Sequence, residues 1–182
     1  MHNPNHAALV AIDPGRNTGF AVFVRFHPVA PFTLQAAGVI QGGGRDVSAL
    51  ATDLRTKART MILQRLWALG FHPGETPAVV CEYMVFRPED RRSVVEDLFQ
   101  VQAVAGVVCG AISDDIRYVR PDEWKGSVPK EIMERRIAAA VWSEELPTYS
   151  SLAPLADSLR HNAIDAVGIG FHATGRFRRG GA

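Results

Sequence analysis

The chain has 182 residues, of which 47% are hydrophobic and 21% charged, so it is long enough for one well-buried domain and short for two. Its net charge of +1 excludes the general excess of basic residues that by itself marks a nucleic-acid-binding protein. If the chain binds nucleic acid, it must do so through a local basic patch. Cys81 and Cys109 lie in apolar stretches without metal-type spacing, which favours a reduced protein over a disulfide scaffold. With no signal-peptide pattern and no apolar run of about 20 residues, we expect a cytoplasmic protein that does not enter membranes.

The predicted elements alternate between strands and helices. Three strands come first, and the short turns between them contain Pro or Gly, which indicates an antiparallel arrangement. An amphipathic helix, a fourth strand, an apolar helix, a fifth strand and two further helices follow. In chain order the segments are 7–13, 18–26, 31–40, 47–69, 77–86, 93–112, 115–120, 130–142 and 157–174. This order predicts one α/β domain with a mixed five-stranded sheet flanked by helices.

Acidic side chains interrupt this apolar pattern at three places. Asp13 ends the first strand and precedes a Pro-Gly turn, for which ordinary turn chemistry is an alternative explanation. Glu82 stands inside an apolar strand, where a glutamate has few structural uses. In the last helix His161 and Asp165 are four residues apart and therefore share a face, with Asn162 beside them.

A cluster of carboxylates with an imidazole or amide offers the oxygen-rich ligand set that Mg²⁺ prefers. Two such ions, about 3.5–4 Å apart, can activate a water and neutralise the leaving oxygen during phosphodiester cleavage. A metal would also explain why carboxylates that repel one another are kept together. The sequence therefore predicts a magnesium or manganese site, although His161 taken alone is more often an ordinary residue near a helix start.

Three stretches resemble the signature stretches of RuvC-like Holliday junction resolvases, and of their phage-type members in particular. They are "AIDPGRNTGFAVF", "VVCEYMVF" and "HNAIDAVGIG", and they occur in the family's order over nearly the whole chain. The resemblance implies an RNase H-like fold and a crossover junction endodeoxyribonuclease of DNA recombination and repair. It also implies two Mg²⁺ or Mn²⁺ ions per active site. The expected location is the cytoplasm of a bacterial cell or of a phage-infected bacterial cell.

Carried over residue by residue, the resemblance implies that Asp13, Glu82 and Asp165 are metal-binding and catalytic. The family often has Asp or His three residues before the last aspartate, and here that residue is Asn162, with His161 one position earlier. We favour His161 as the fourth metal-binding and catalytic residue, because an imidazole can bind a metal or assist proton transfer.

Candidate DNA contacts lie in two basic segments. The loop after Glu82 combines aromatic and basic side chains, which can stack on unpaired bases and hold phosphates, although a solvated loop is the alternative. Its candidate DNA-binding residues are Phe86, Arg87, Arg91 and Arg92. The resemblance implies that Phe86 probes the junction centre and that Lys125 and Lys130, in "RPDEWKGSVPKEIMERR", are phosphate ligands.

The predicted domain spans residues 1–175 and is followed by a basic flexible tail, 176–182, whose arginines either contact phosphates or belong to a disordered end. The apolar helix near 94–112 has more hydrophobic surface than a one-sided helix requires, so a partner could use it. The resemblance implies a homodimer, whose two-fold symmetry would allow paired nicks on a four-way junction.

Other function classes remain open. A phosphotransferase or ATPase of the actin and sugar-kinase type would use "DPGRNTG" as a phosphate loop, but it needs a second domain for which 182 residues leave little room. A non-catalytic DNA-binding module is a second alternative, and the presence of all three carboxylates counts against it. Among nucleases, the sequence does not separate a strict resolvase from an enzyme acting on other branched or hybrid nucleic acids.

Overall fold

The computed structural model describes residues 6–72, 74–85 and 92–177, with the side chains of 92–94 left out of the description. Five strands and six α-helices are found there, together with a 3₁₀ helix at Ser143–Glu145. The strands are β1 Ala7–Asp13, β2 Asn17–Arg25, β3 Thr33–Gln41, β4 Ala78–Glu82 and β5 Ile116–Val119. The helices are α1 Val47–Ala68, α2 Arg92–Gly110, α3 Pro121–Trp124, α4 Lys130–Ala140, α5 Leu146–Ser150 and α6 Asp157–Ala173.

The strands form one mixed sheet in the order β3-β2-β1-β4-β5. The first three strands pair antiparallel, whereas β1 pairs with β4 and β4 with β5 in parallel. Helices α1 and α2 cover one face of the sheet, and α4 and α6 cover the other, so two hydrophobic cores are formed. The predicted α/β class, with a mixed five-stranded sheet flanked by helices, is confirmed.

Strand alternation places two acidic residues on the face that α6 covers. Ile12 and Cys81 are paired in the β1/β4 register and both point into the core under α1 and α2. Successive side chains of a strand point to opposite faces, so Asp13 and Glu82, the next residue of each strand, point towards α6. The two carboxylates are therefore neighbours at the carboxyl ends of two parallel strands.

Helix α6 packs unusually close to the sheet because glycines stand at the contact. A Cβ atom on Gly19 of β2 would overlap the carbonyl oxygen of Asn162. The helix backbone can therefore rest directly on the strand that follows Asp13. This contact fixes the distance between α6 and the sheet, and so the position of the α6 side chains at the end of β1.

The structure differs from the predicted elements in several places. The fourth strand was expected to continue to residue 86, but it ends at Glu82, so Glu82 is its last residue instead of an internal one. The short helix α3 was not predicted, because four residues bounded by Pro121 are too few for a periodic pattern. Among the described residues, no helix is long and apolar enough to cross a membrane.

The assignment of Arg176 to a flexible basic tail is wrong. Its guanidinium donates to both oxygens of Glu145, at 2.6 Å each, and the side chains of this pair are only 7% and 0% exposed. The same guanidinium lies over the rings of Trp142 and Phe171. Arg176 is therefore part of the domain core and is not free to contact phosphates, while residues 178–182 lie outside the described part of the chain.

Candidate active site

The turn after β1 holds Asp13 in a fixed position. The Thr18 hydroxyl donates to the carbonyl oxygen of Gly15 at 2.7 Å, which closes the turn on itself. The backbone N–H of Gly42 donates to the carbonyl oxygen of Arg16 at 2.8 Å, so the end of β3 also supports it. The Pro-Gly pair therefore does form a turn, and this turn positions the half-buried carboxylate of Asp13 at the end of the sheet.

Glu82 is buried, with 4% of its surface exposed, yet both of its oxygens have partners. The indole N–H of Trp124 donates to Oε2 at 2.6 Å. The ammonium of Lys125 lies 3.3 Å from Oε2 and 3.5 Å from Oε1. These contacts compensate for the cost of burying a carboxylate among apolar residues.

Asp165 completes the cluster from α6. Its Oδ2 atom lies 3.6 Å from the ammonium of Lys125, so one cation contacts carboxylates from two separate elements. Burial raises the pKa of Asp13 well above its ordinary value, and the negative charges of Asp165 and Glu82 raise it further. Lys125 only partly offsets this effect. The three predicted carboxylates therefore lie in one electrostatically coupled cluster.

The charge state of Lys125 follows from the same geometry. Burial alone would lower the pKa of this ammonium, but Glu82 and Asp165 outweigh burial and hold the pKa above its ordinary value. Lys125 is therefore protonated at neutral pH. When all three carboxylates are ionised, their negative charge exceeds the positive charge of this one ammonium.

Comparison with solved structures finds proteins of the same architecture. RuvC of Thermus thermophilus in complex with a Holliday junction substrate has a TM-score of 0.56 and 17% sequence identity, covering 92% of this chain and 94% of that chain. Another structure of Thermus thermophilus RuvC gives 0.51 and 17%, with 91% and 95% covered. Fowlpox virus resolvase in complex with Holliday junction DNA gives 0.50 and 13%, with 92% and 98% covered. No protein-family model and no curated protein matches the chain.

The chain has a RuvC-like fold. At 13–17% identity the likeness is one of architecture, and it extends over more than nine-tenths of the chain. The predicted RNase H-like architecture is thereby confirmed. The acidic cluster lies in this fold at the ends of two central parallel strands and on the helix packed across them.

The donor chemistry of the cluster fits a hard divalent cation, because all three side chains offer carboxylate oxygens. As the side chains stand, no group of three or more His, Cys, Asp or Glu residues within 6–72, 74–85 and 92–177 could hold a metal ion. The positive charge between Glu82 and Asp165 is instead the ammonium of Lys125. The cluster therefore fits Mg²⁺ or Mn²⁺ in donor type, and with all three carboxylates ionised one ammonium would not balance their charge.

His161 lies one helical turn before Asp165 and is half-buried. Its Nδ1 atom is 3.1 Å from the carbonyl oxygen of Asp157, and a carbonyl oxygen only accepts hydrogen bonds. In the neutral ring Nδ1 therefore carries the proton, which leaves the lone pair of Nε2 for a metal or a proton. The backbone of Asn162 faces Gly19, and the choice between these two residues as fourth ligand stays a prediction.

The predicted DNA contacts fall in different surroundings. Lys125 lies inside the acidic cluster, whereas Lys130 begins α4 and is 56% exposed, with its ammonium 3.9 Å from Glu134. Arg92 is the first residue of α2, and its side chain is outside the description. Three further candidates lie outside the described residues, and they are Phe86, Arg87 and Arg91. The DNA-binding roles of all six residues stay predictions.

Sequence reasoning missed Trp124. The residue adjoins Lys125 in the sequence, but its hydrogen-bond acceptor, Glu82, is 42 positions away. The available signal was chemical, because a buried indole N–H needs an acceptor and an apolar strand offers few side-chain acceptors. Glu82 was the residue already marked as out of pattern in the strand.

Proposed function

We propose that this protein is a divalent-metal-dependent endodeoxyribonuclease that resolves four-way DNA junctions by phosphodiester hydrolysis. The observation that carries the proposal is the meeting of Asp13, Glu82 and Asp165 at one end of the sheet in a RuvC-like fold. The similar structures of RuvC and fowlpox virus resolvase are complexes with Holliday junction DNA, which supports branched DNA as the substrate class.

The three carboxylates and Nε2 of His161 would hold two Mg²⁺ or Mn²⁺ ions. Bound ions of this kind supply a water activated for attack and stabilise the leaving oxygen. A bound cation would stabilise the ionised form of Asp13 in particular, because burial beside two other carboxylates disfavours that form in its absence. Lys125 keeps its proton at Nζ and, once the carboxylates bind metal, can turn that charge towards a phosphate oxygen of the substrate.

Binding of the junction would use basic and aromatic side chains around the cluster. Lys125 and Lys130 would contact phosphates, and the loop after β4 would bring Phe86 to unpaired bases at the junction centre. The remaining proposed contacts are Arg87, Arg91 and Arg92. Such contacts would supply positive charge next to the acidic cluster, although the chain as a whole is nearly neutral.

A homodimer would give the paired incisions that resolution requires. Phe99 on α2 is 69% exposed, which is unusual for a phenylalanine in the middle of a helix, and it supports α2 as part of the dimer contact. A two-fold axis would present two identical acidic clusters to opposite strands of a near-symmetric junction. Light scattering on the purified protein should give twice the mass of the chain, and a monomer at micromolar concentration would contradict the dimer.

The function is tested on a panel of labelled substrates comprising a four-way junction, a fork, a linear duplex and an RNA/DNA hybrid. Each is incubated with Mg²⁺, Mn²⁺ or EDTA. We expect symmetric nicks in the junction with either metal, none with EDTA, and little cleavage of the duplex. Preferential cleavage of the hybrid would favour a ribonuclease H-like nuclease. Equal cleavage of fork and junction would favour a broader debranching enzyme. Binding without cleavage would favour a non-catalytic module.

A further inference from the structure

Trp124 makes a short hydrogen bond to the acidic cluster. Its indole N–H donates to Oε2 of Glu82 at 2.6 Å, and only 5% of the residue is exposed. The other two tryptophans have different surroundings, since Trp67 is half-exposed and Trp142 lies under the guanidinium of Arg176. Trp124 is therefore the tryptophan that adjoins the proposed metal ligands.

Both the start of helix α3 and the neighbouring helix α6 limit the position of the indole. Helix α3 begins with Pro121, and the side chain of Glu123 accepts the backbone N–H of Arg120 at 3.1 Å, which closes the start of the helix. On α6, a Cβ atom at Gly168 would lie 2.6 Å from Cζ3 of Trp124, so only glycine leaves space for the ring. The ring is thus wedged between Glu82 and the helix that carries Asp165.

The same indole also orients Lys125. The ammonium lies 4.7 Å from the centroid of the Trp124 ring, within the range of a cation–π contact. One side chain thus fixes the buried carboxylate through its N–H and the neighbouring cation through its ring. Because Oε2 receives the indole hydrogen bond, the rotation of the Glu82 carboxylate about its terminal bond is set before any ligand arrives.

We propose that Trp124 is a positioning residue that presents Glu82 to the divalent ion of the proposed nuclease site. The inference rests on the proposed function, because it needs that site to bind metal. Groups that hold a metal ligand by a hydrogen bond typically change metal affinity by about 10–100-fold when they are removed. A purely structural role would instead depend on the shape of the ring and not on its N–H.

Mn²⁺ binding to the full-length protein, measured by isothermal titration calorimetry without DNA, separates these roles. Trp124→Phe should weaken Mn²⁺ binding about 10-fold or more while the variant still unfolds cooperatively. Ile137→Val is the matched control, because Ile137 is buried beside Gly168 but makes no hydrogen bond to the cluster. It should leave the affinity for Mn²⁺ unchanged.

A shape-matched analogue keeps the test decisive if Trp124→Phe does not fold. In a Trp67→Phe/Trp142→Phe background Trp124 is the only tryptophan, so 3-benzothienylalanine, with sulfur in place of the N–H, can be incorporated there alone. The analogue should reproduce the loss of Mn²⁺ affinity. In the unlabelled background, titration with Mg²⁺ should change the Trp124 fluorescence, and Asp165→Asn should abolish that change.

The outcomes distinguish the two proposals. Weaker Mn²⁺ binding by the analogue, with Ile137→Val unchanged, supports the positioning role. Affinity within twofold of the parent protein for the analogue overturns that role and leaves the nuclease proposal intact. If the unmodified protein binds neither Mn²⁺ nor Mg²⁺, the proposed metal-dependent function itself fails.

Discussion

The ammonium of Lys125 lies 3.6 Å from Oδ2 of Asp165, which joins the loop after α3 to the helix that closes the site. The same ammonium lies 3.3 Å from Glu82, so Lys125 is shared between two carboxylates that the chain places 83 positions apart. A lysine in this position partly neutralises the cluster, and in the proposed nuclease it would supply positive charge to the phosphate of a bound substrate. Lys125 therefore belongs to the site itself and not only to a surrounding DNA surface.

The two lysines should contribute separately to junction binding. Lys125→Ala and Lys130→Ala should each weaken binding, because each removes a proposed phosphate contact. Each should also reduce the slope of log K against log salt concentration by about one unit. Binding isotherms at several salt concentrations measure both effects. Lys57→Ala is the control, because Lys57 pairs with Asp53 on α1, and an unchanged slope in all three variants would remove both lysines from the DNA surface.

The ionised form of Asp13 should destabilise the folded protein when no metal is bound. Its pKa is raised by burial and by Asp165 and Glu82, so the folded state holds this proton more tightly than the unfolded state does. The stabilising effect of the protonated form is complete below the unfolded pKa and is lost as pH rises through the folded pKa. At pH 7.5 without metal, Asp13→Asn should therefore raise the melting temperature.

The expected gain is about 2–4 °C, which corresponds to about 1 kcal/mol in a domain of this size. The gain should shrink as pH falls below 4, where the carboxyl is protonated in both states. Mg²⁺ should stabilise the unmodified protein more than Asp13→Asn. Asp114→Asn, at an exposed position, is the control and should change little. A lower melting temperature for Asp13→Asn at pH 7.5 would contradict the electrostatic account.

His161 and Asn162 should differ in their effect on cleavage. With Nδ1 engaged by the Asp157 carbonyl, Nε2 of His161 is available, so His161→Ala should lose most activity and Asn162→Ala little. His161→Asp should recover part of the activity with Mg²⁺, because it restores an oxygen donor. An imidazole ligand also suits Mn²⁺ better than Mg²⁺. Inactive Asn162→Ala beside active His161→Ala would assign the fourth position to Asn162.

The buried pair of Arg176 and Glu145 should be a major contribution to stability. Hydrogen bonds from Arg176 and from the N–H groups of Leu34 and Trp142 outweigh burial and hold the pKa of Glu145 below its ordinary value. Its contribution is therefore present above the unfolded pKa and is lost as pH falls through the folded pKa. Arg176→Met leaves the carboxylate buried without its cationic partner, held only by the backbone N–H groups of Leu34 and Trp142.

We expect Arg176→Met to lower the free energy of unfolding at pH 7 by about 3–5 kcal/mol. Urea denaturation measures the loss, and the double variant Arg176→Met/Glu145→Met should lose less than the single one because no charge is then left unpaired. A change below about 1 kcal/mol in Arg176→Met would show that the end of α6 is held by other contacts.

Local patterns in the sequence were sufficient to predict the sheet and the three carboxylates. Asp13 and Glu82 stood out because each broke an apolar run, and the spacing of His161 and Asp165 followed from the helical period. The pairing of β1 with β4 in parallel depends on contacts about 70 residues apart, and a local pattern does not contain it. Local patterns in the sequence therefore single out the acidic residues, but they do not contain the strand pairing that brings these residues together.

Two residues were misjudged or missed because their partners are distant. Arg176 resembled the start of a basic tail in "GRFRR", and its partner Glu145 is 31 residues away on the 3₁₀ helix. Trp124 stands in a short segment without periodicity and was not singled out from the sequence. In both cases the deciding contact is a buried polar one between elements, and hydrophobic patterning does not report such contacts.

Cleavage of a four-way junction by carboxylate variants tests the central claim most directly. Asp13→Asn, Glu82→Gln and Asp165→Asn are compared with the unmodified protein in Mg²⁺ or Mn²⁺, with junction binding measured in parallel. We predict that each variant loses cleavage by a factor of about 100 or more and still binds the junction, because each removes a metal ligand and no phosphate contact. Cleavage retained by any two of the three variants would contradict the assignment of the active site.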